Sequence, residues 1–501
     1  MVYSIQRHGA RNVLPKSSTL KESEATGGPT LLPQGQRQCF EAGVAFNARY
    51  INPSSCNSSS TCLAAPGSGP LYGVTGSPDV GFSNYNTFAI TSALDRTIMS
   101  ADSFLAGVFP AIAVQGDATN GSYVPTGEQV VPVYSMADTE DWKIRGYTKC
   151  PEYEDRLQQW LASEEFAAKA AETQELRDKV QALAPQLNVS LANWWNVYDA
   201  FNVWKTYGVG EAMPPVDAAT FAEINQLAMW LETSKMRPSL TSNLLGGGLL
   251  GNLMQRLAAA EAAVSAGRQG YYRFLSVSSH YNTQLGLLSA LFADQAATQD
   301  HIWTKKIPSL AAVLLFELHA SAPAAASSPG QQQQQQSFAL RAVYQDGPKA
   351  PYKVLPLPCA VKGDAAEVLA GPGACTLERF RALAGPQTLN TSREWCDACT
   401  NGKVMACQVS RMERQLAEAG ITPFEVTTAG SGARGNAGSS RSLRPHAGYV
   451  SPVMVALLCV VSAALTVCVG TGVLLVRRRK QRKVDSQVRL AADTALPANY
   501  V

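Results

Sequence analysis

The segment SIQRHGARNVLP, Ser4 to Pro15, places a histidine between two arginines directly after an apolar run. Residues 2–6 predict a short strand, and α/β folds place their sites just past the carboxyl ends of such strands. The guanidinium groups of Arg7 and Arg11 match phosphate oxygens in charge and geometry. An imidazole between them, that of His8, could attack phosphorus and carry it covalently. These residue types suit phosphoryl transfer, although a histidine beside two arginines also occurs on ordinary surface loops.

Five later segments, together with this one, resemble the histidine acid phosphatase family, which is branch 2 of the histidine phosphatase superfamily. They are Leu32-Pro-Gln-Gly35-Gln-Arg37-Gln38; Asp95-Arg-Thr-Ile-Met-Ser100-Ala101 with Gly107-Val-Phe-Pro110; Ser276-Val-Ser-Ser-His280; Ile307-Pro308 through Phe316-Glu317-Leu318; and Arg341-Ala-Val-Tyr344-Gln-Asp346-Gly347, followed by Leu357, Cys359, Cys375 and Phe380. The likeness extends from about residue 2 to residue 407. Within the family, the chain is most similar in organisation to the membrane-anchored lysosomal and protozoan types.

The resemblance implies a role for each of four residues. His8 would be the nucleophile that becomes phosphohistidine. Arg7 and Arg11 would bind the phosphoryl group and stabilise its charge in the transition state, and His280 would donate a further hydrogen bond to it. The implied reaction is the hydrolysis of a small phosphate monoester at acidic pH. This chemistry needs no cofactor, and the sequence shows no metal site.

Two positions depart from the family's pattern. The family usually carries an arginine five residues before the Asp of its D-R-T motif, where this chain has Ile90. It also has an acidic residue one or two positions after its second histidine, where this chain has Tyr281 and Asn282. The loss of a general acid typically lowers the rate by about 10² to 10⁴-fold. A second hypothesis therefore stays open, namely a catalytically weakened pseudo-phosphatase that binds a phosphate ligand as a surface glycoprotein.

These residues must be positioned by strands and helices, and the predicted order of those elements indicates an α/β fold. We expect a central mixed sheet flanked by helices, as in phosphoglycerate mutases, with an inserted helical cap at about 140–268, all within a domain at 1–423. Apolar runs predict strands at 2–6, 86–90, 130–133, 271–278, 311–318 and 338–344, and helical spacing predicts helices at 35–50 and 95–107. The helical insert is predicted because the sequence of this region is rich in Ala, Leu, Gln and Glu and has tryptophans at helical spacing.

The C-terminal segment predicts a membrane anchor. Residues 424–447 are typical of a flexible stalk. Residues 448–476 carry no charge and are long enough to cross about 30 Å of hydrocarbon as one helix. The basic run RRRKQRK begins a tail at 477–501 that we expect in the cytosol. The catalytic domain of such a single-pass type I protein would be lumenal or extracellular, in a lysosome or vacuole or at the plasma membrane. No signal peptide is visible, so we expect the chain to be N-terminally incomplete.

Cysteines and sequons agree with a lumenal domain. Nine cysteines precede the predicted span: Cys39, Cys56, Cys62, Cys150, Cys359, Cys375, Cys396, Cys399 and Cys407. The odd number leaves one unpaired thiol or a missing partner. The Cys396–Cys399 CxxC motif favours structural disulfides over a redox or zinc site, because no second CxxC or histidine pair accompanies it. The family resemblance adds a Cys359–Cys375 disulfide.

Glycosylation sequons occur at Asn57, Asn120, Asn188 and Asn390. The net charge of +3 is small and argues against an acidic polymer such as nucleic acid as the main partner. The expected partners are a small phosphate monoester and, through one helix, a membrane. Neither the individual substrate nor the oligomeric state is predicted.

Overall fold

The computed structural model describes residues 1–12, 29–56, 61–63, 82–110, 130–208, 214–268, 270–292, 306–321 and 336–418. These ranges belong to one compact unit, Met1–Phe424. The predicted stalk, membrane helix and cytosolic tail lie outside the described residues and stay predictions. Within the ranges given, no helix is long and apolar enough to cross a membrane.

The described strands form a single mixed sheet, as predicted. They are β1 (Val2–Arg7), β2 (Thr87–Ser92), β3 (Val133–Met136), β4 (Phe274–Ser279), β5 (Val313–Ala320), β6 (Phe338–Gln345), β7 (Lys353–Leu355) and β8 (Cys375–Thr376). Their order is β3-β2-β4-β1-β5-β6-β7, and β8 pairs with β6. Strands β1 to β4 pair in parallel, and β5 to β8 pair antiparallel. The prediction of a strand at 130–133 was wrong by three residues, because β3 begins only after Pro132.

The parallel half of the sheet brings three strand ends together. Arg7 at the end of β1 pairs with Ser279 at the end of β4. Thr91 near the end of β2 pairs with Ser278 of β4. The residues that follow these strands therefore meet at one edge of the sheet, which is where open α/β folds place their ligands.

The described α-helices are α1 (Pro33–Tyr50), α2 (Pro53–Cys56), α3 (Asp95–Val108), α4 (Pro151–Leu161), α5 (Glu164–Glu172), α6 (Gln174–Leu183), α7 (Trp194–Tyr207), α8 (Ala218–Lys235), α9 (Pro238–Thr241), α10 (Gly247–Ser265), α11 (Tyr281–Leu291), α12 (Ala365–Ala370), α13 (Leu377–Ala384), α14 (Ser392–Ala398) and α15 (Met405–Glu418). The backbones of helices α1 and α3 are in direct contact where the helices cross. A Cβ on Gly43 of α1 would lie only 2.0 Å from the Phe104 carbonyl oxygen of α3. This close packing fixes α3, and with it the start of α3, against the sheet. Helices α4 to α10 occupy the region predicted as a helical insert, and their core includes the fully buried Trp194.

Four disulfides join the described cysteines: Cys56–Cys62, Cys150–Cys399, Cys359–Cys375 and Cys396–Cys407. The predicted Cys359–Cys375 bond is confirmed. Cys396 and Cys399 belong to two different disulfides, so the structural interpretation of the CxxC motif is also confirmed. Cys39 is buried with a free thiol.

Of the sequon asparagines, Asn188 and Asn390 are exposed, and Asn57 and Asn120 lie outside the described residues. Glycosylation at these positions remains a prediction.

Candidate active site

His8 follows β1 and presents one unprotonated ring nitrogen. Its Nδ1 lies 2.8 Å from the carbonyl oxygen of Gly9. A carbonyl can only accept, so Nδ1 carries the proton of the neutral ring and Nε2 keeps its lone pair. Burial, followed by the charges of Arg96, Arg7 and Arg11, lowers the pKa of His8 well below its usual value. The ring is therefore neutral, and Nε2 has the form that a nucleophile needs.

The loop after His8 is held by the two helices that pack beside it. A Cβ on Gly9 would lie 2.3 Å from the Gly35 carbonyl oxygen, so only glycine permits this approach to the start of α1. The Gly9 amide donates to Ser100 Oγ of α3 at 3.1 Å. The Ala10 amide donates to Gln38 Oε1 of α1 at 2.9 Å. Gly35 and Gln38 from one motif and Ser100 from another thus hold the same loop in place.

Arg7 and Arg11 are both buried beside His8. Arg7 donates from Nη1 to the Pro308 carbonyl oxygen. Arg11 donates from Nη1 and Nη2 to the two carboxylate oxygens of Asp199, at 2.9 and 3.0 Å. The Nε donor of each arginine has no hydrogen-bond partner within the described part of the chain. These unpaired buried donors suit an anionic ligand.

A third buried arginine, Arg96, was missed as a site residue by the sequence analysis. It lies at the start of α3, and its Nε also lacks a partner among the described side chains. Burial and the neighbouring charge of Arg11 lower the pKa of Arg96 to about 9. Ile90, where the family pattern has an arginine, lies in β2 and packs half-buried against the apolar core. The D-R-T motif itself was the signal that could have pointed to Arg96.

His280 follows β4 and lies beside His8. The two ring centroids are 5.5 Å apart, with an angle of 70° between the planes. His280 Nε2 lies 2.9 Å from Ser92 Oγ, at the end of β2. Burial, followed by the charge of Arg96, lowers the pKa of His280 well below its usual value. The structure thus brings both predicted histidines to one edge of the sheet.

Tyr281 lies where the family pattern places an acid, and its hydroxyl group is already engaged. It donates to Glu232 Oε2 of α8 at 2.5 Å. Burial and the carboxylate of Glu232 raise the pKa of Tyr281 well above its usual value. Its ring lies 5.1 Å from the Arg7 guanidinium carbon, a cation–π distance. Tyr281 therefore supports Arg7 and is poorly suited to release a proton, and the neighbouring Asn282 is half-buried and has no carboxyl group.

A cavity of about 880 Å³ opens beside Arg7 and Arg11, whereas His8, His280 and Arg96 are not among its lining residues. Arg7, Arg11 and Asp199 lie in its wall, along with residues of α1, the α7 aromatic side chains Trp195 and Tyr198, and the segments 306–310 and 346–350. Its size suits a small organic ligand. Among the residues that the structure describes, no cluster of His, Cys, Asp and Glu could hold a metal ion.

Comparisons with known proteins show what this chain is similar to. The family model described as histidine phosphatase superfamily (branch 2) matches residues 15–345, which is more than half of the chain. The lysosomal acid phosphatase of Rattus norvegicus is 24% identical over 323 residues, covering 63% of this chain and 66% of that protein. The Homo sapiens lysosomal acid phosphatase is 24% identical over 301 residues, covering 57% and 61%. These two matches span less than two thirds of the relatives' own lengths.

The match to the testicular acid phosphatase of Mus musculus is longer, at 24% identity over 397 residues, 76% of this chain and 78% of that protein. Among solved structures, the phytase of Citrobacter braakii has a TM-score of 0.46 and 14% identity, covering 79% of this chain and 98% of that chain. The apo phytase of Hafnia alvei has a TM-score of 0.47 and 12% identity, covering 79% and 97%.

Proposed function

Because the chain belongs to branch 2 of the histidine phosphatase superfamily, we propose that it is an acid phosphatase that hydrolyses small phosphate monoesters through a phosphohistidine on His8. One observation carries the proposal: the neutral ring of His8 is close enough to the buried guanidinium groups of Arg7, Arg11 and Arg96 for their charges to lower its pKa, and the Nε donor of each arginine has no partner among the described residues. Asp199 pairs with Arg11, but the three guanidinium groups still outnumber this carboxylate and favour a bound anion, and the nucleophile points to phosphorus as the atom attacked.

In the proposed reaction, the arginines bind the phosphoryl oxygens while His8 Nε2 attacks phosphorus. The P–N bond forms and the ester P–O bond breaks. The departing alcohol takes the proton of the phosphate monoanion, since neither Tyr281 nor Asn282 offers a carboxylic acid. Water then attacks phosphorus, the P–N bond breaks, and inorganic phosphate leaves. A monoanionic substrate is abundant only at acidic pH, which gives the reaction its acidic optimum.

We also propose a lumenal or extracellular location. Four disulfides favour an oxidising compartment. Two matched relatives are named lysosomal acid phosphatases. A single-pass type I anchor at 448–476 and glycans on the exposed Asn188 and Asn390 complete the proposal.

A second candidate function is that of a phosphate-binding pseudo-phosphatase. It is favoured by one specific observation, the hydrogen bond that commits Tyr281 to Glu232 where the family pattern has an acid. A site without a proton donor would bind phosphate yet release alcohols slowly, because general-acid catalysis typically contributes about 10² to 10⁴-fold.

The test is hydrolysis by the full chain at about pH 4 to 7, compared with the His8→Ala variant. An aryl phosphate, with a good leaving group, and an alkyl phosphate, with a poor one, are used side by side. We expect aryl phosphate hydrolysis that disappears in His8→Ala, and a label from ³²P-substrate that is trapped on His8 after acid-free quenching. The alkyl phosphate should be cleaved far more slowly, in proportion to the missing acid.

The outcomes separate the two candidates. Wild-type activity equal to that of His8→Ala, in a folded protein that still binds vanadate, would overturn the phosphatase and leave the pseudo-phosphatase. Equal rates on aryl and alkyl phosphates would show that another group protonates the leaving oxygen.

A further inference from the structure

The last described helix, α15, presents an apolar face on the side away from the rest of the domain. Four large apolar side chains on it are 38% to 59% exposed and form what we call the α15 stripe: Met405, Val409, Met412 and Leu416. Intervals of four, three and four residues place them along one side of the helix. The buried residues Cys407 and Ser410 lie on the opposite side. The α15 stripe is therefore largely uncovered by the residues that the structure describes.

Two bonds hold α15 against the neighbouring helix α14. The Cys396–Cys407 disulfide joins the two helices covalently. Arg414 of α15 also donates to the carboxylate of Asp397 of α14 at 2.6 Å. A helix of 14 residues is marginal by itself in water, but these bonds hold this one in place before anything covers its apolar face. Little conformational entropy is then lost when a partner binds there.

The spacing of the α15 stripe is that of a two-stranded coiled coil. Its two methionines fall at position d of a heptad, and Val409 and Leu416 fall at position a. In a parallel pair of helices, Gln408 at position g lies opposite Glu413 at position e of the second copy. The amide of the one can donate to the carboxylate of the other, and no like charges meet. The α15 stripe is therefore complementary to a second copy of itself.

A membrane surface suits this face less well. Helices that lie in a membrane interface carry Lys or Arg on their polar side, where these residues contact anionic headgroups. The residues beside the α15 stripe are instead Gln408, Glu413 and Gln415. Arg411 and Arg414 line the groove between α14 and α15, away from the stripe. The exposed carboxylate of Glu413 would be repelled by anionic headgroups.

We propose that the α15 helices of two copies of this chain pair in parallel through the α15 stripe and make the protein a homodimer. Beyond Glu418 each chain continues to the apolar segment 448–476, which the sequence analysis predicts to be a membrane anchor. Two copies anchored in one membrane would run in the same direction, and the shared membrane would raise their effective concentration. This pairing does not depend on the reaction proposed above.

Val409→Glu tests the pairing in the full chain, purified in a mild detergent and measured by sedimentation equilibrium over a range of concentrations. In the dimer this variant would bury a carboxylate against the same carboxylate of the second copy. We expect the dissociation constant of the dimer to rise about 10² to 10³-fold, as for an uncompensated buried charge. Val368→Glu is the matched control, because it makes the same change at an exposed valine of α12, and it should remain a dimer. A monomeric wild type, or a Val409→Glu variant that dimerises as wild type does, overturns the proposal.

A mixture of opposite charges tests the parallel arrangement. In a parallel pair, side chains at position a of the two helices pack against each other, so Val409 faces Val409 of the second copy. Differently tagged full chains carrying Val409→Glu and Val409→Lys should each be monomeric alone and should co-purify as a heterodimer when mixed. If the wild type dimerises but the mixture does not co-purify, the parallel pairing is wrong.

Oxidation of the two stripe methionines distinguishes a second copy from other partners of this face. Peroxide treatment of the full chain, followed by mass spectrometry, measures how fast Met405 and Met412 become sulfoxides. We expect both to be oxidised more slowly in the wild-type dimer than in Val409→Glu. Protection of both methionines in a monomeric wild type would show that residues 419–447 or the lipid covers the stripe, and would overturn the dimer.

Discussion

At the scale of single residues, the site concentrates positive charge around two neutral imidazoles. The same arginines that would hold a phosphoryl group also lower the pKa values of His8 and His280. A protonated His8 would have no lone pair on Nε2, so in the proposed reaction the cations would prepare the nucleophile as well as bind the substrate. Arg96 matters most in this respect, because its charge is the largest electrostatic influence on both rings after burial.

Removal of Arg96 should therefore cost activity although the nucleophile remains. For Arg96→Ala we expect kcat/KM for an aryl phosphate at about pH 5 to fall about 10² to 10³-fold, as for the loss of one preorganised charge-stabilising group. Inhibition by inorganic phosphate should weaken in parallel. Arg37→Ala is the control, since Arg37 is an exposed arginine in the wall of the cavity that Arg7 and Arg11 also line. Equal activities of the two variants would show that Arg96 does not take part in the site.

The residues found by sequence reasoning and those it missed differ in a physical way. His8 and His280 could be predicted because each follows an apolar strand within a recognisable motif. Arg96 lay in a quoted motif, but its side-chain direction depends on the start of α3. Asp199 and Glu232 could not be predicted, because they reach the site from inserted helices whose packing no local pattern specifies.

At the scale of elements, the helical insert contributes directly to the site through α7. Asp199 on α7 forms a buried, two-pronged ion pair with Arg11, which follows β1. The pair orients a guanidinium group that would bind phosphate, and it also supplies a negative charge beside the anion site. Stability and ligand affinity therefore make opposite demands on this carboxylate.

Asp199→Asn should separate these two effects. The free energy of unfolding should fall by about 3 to 5 kcal/mol, because Arg11 stays buried without its counter-ion. Inorganic phosphate should bind more tightly, because one negative charge has left the anion site. Glu41→Gln is the matched control, as Glu41 lines the same cavity on α1. Chemical denaturation and phosphate inhibition measure the two quantities, and a loss of both stability and affinity in Asp199→Asn would contradict this account.

The strands show how far local patterns determine elements. Apolar runs predicted β1, β2, β4, β5 and β6 to within a few residues, because buried strands are continuously apolar. The prediction for β3 began too early because Val130 and Val131 continue its apolar pattern. Pro132 has no amide hydrogen to give to a neighbouring strand. The ladder with β2 accordingly starts at Val133, which pairs with Ala89.

At the scale of the whole molecule, widely separated segments are joined by bonds that spacing alone cannot predict. The Cys150–Cys399 disulfide closes 249 residues between the start of α4 and the end of α14. A second link is ionic and lies at the end of the sheet opposite to His8, where Glu317 of β5 pairs with Val2 of β1. Glu317 accepts hydrogen bonds there from Tyr50 at 2.5 Å and from Arg341 at 2.7 Å.

This ionic link should keep the fold stable at the acidic pH that the proposed reaction needs. Burial alone would raise the pKa of Glu317, but the hydrogen bond from His319, the charge of Arg341, and then Tyr50 and Arg49 outweigh it and lower the pKa to about 2. An unfolded glutamate has a pKa of about 4.3. The stabilisation is therefore fully present above about pH 4.5 and is lost as the pH falls through about 2.

Glu317→Gln should lower the free energy of unfolding by about 3 kcal/mol at about pH 5 to 7, since each unit of pKa shift corresponds to about 1.4 kcal/mol. The difference from wild type should shrink steadily between about pH 4.5 and 2, because protonated Glu317 resembles glutamine. Glu165→Gln is the control, because its carboxylate pairs with Arg237 at the surface and such pairs contribute little. Denaturant unfolding at several pH values measures both variants. A difference for Glu317→Gln that stays constant down to about pH 2 would mean that lost packing, rather than the charge of Glu317, destabilises the variant.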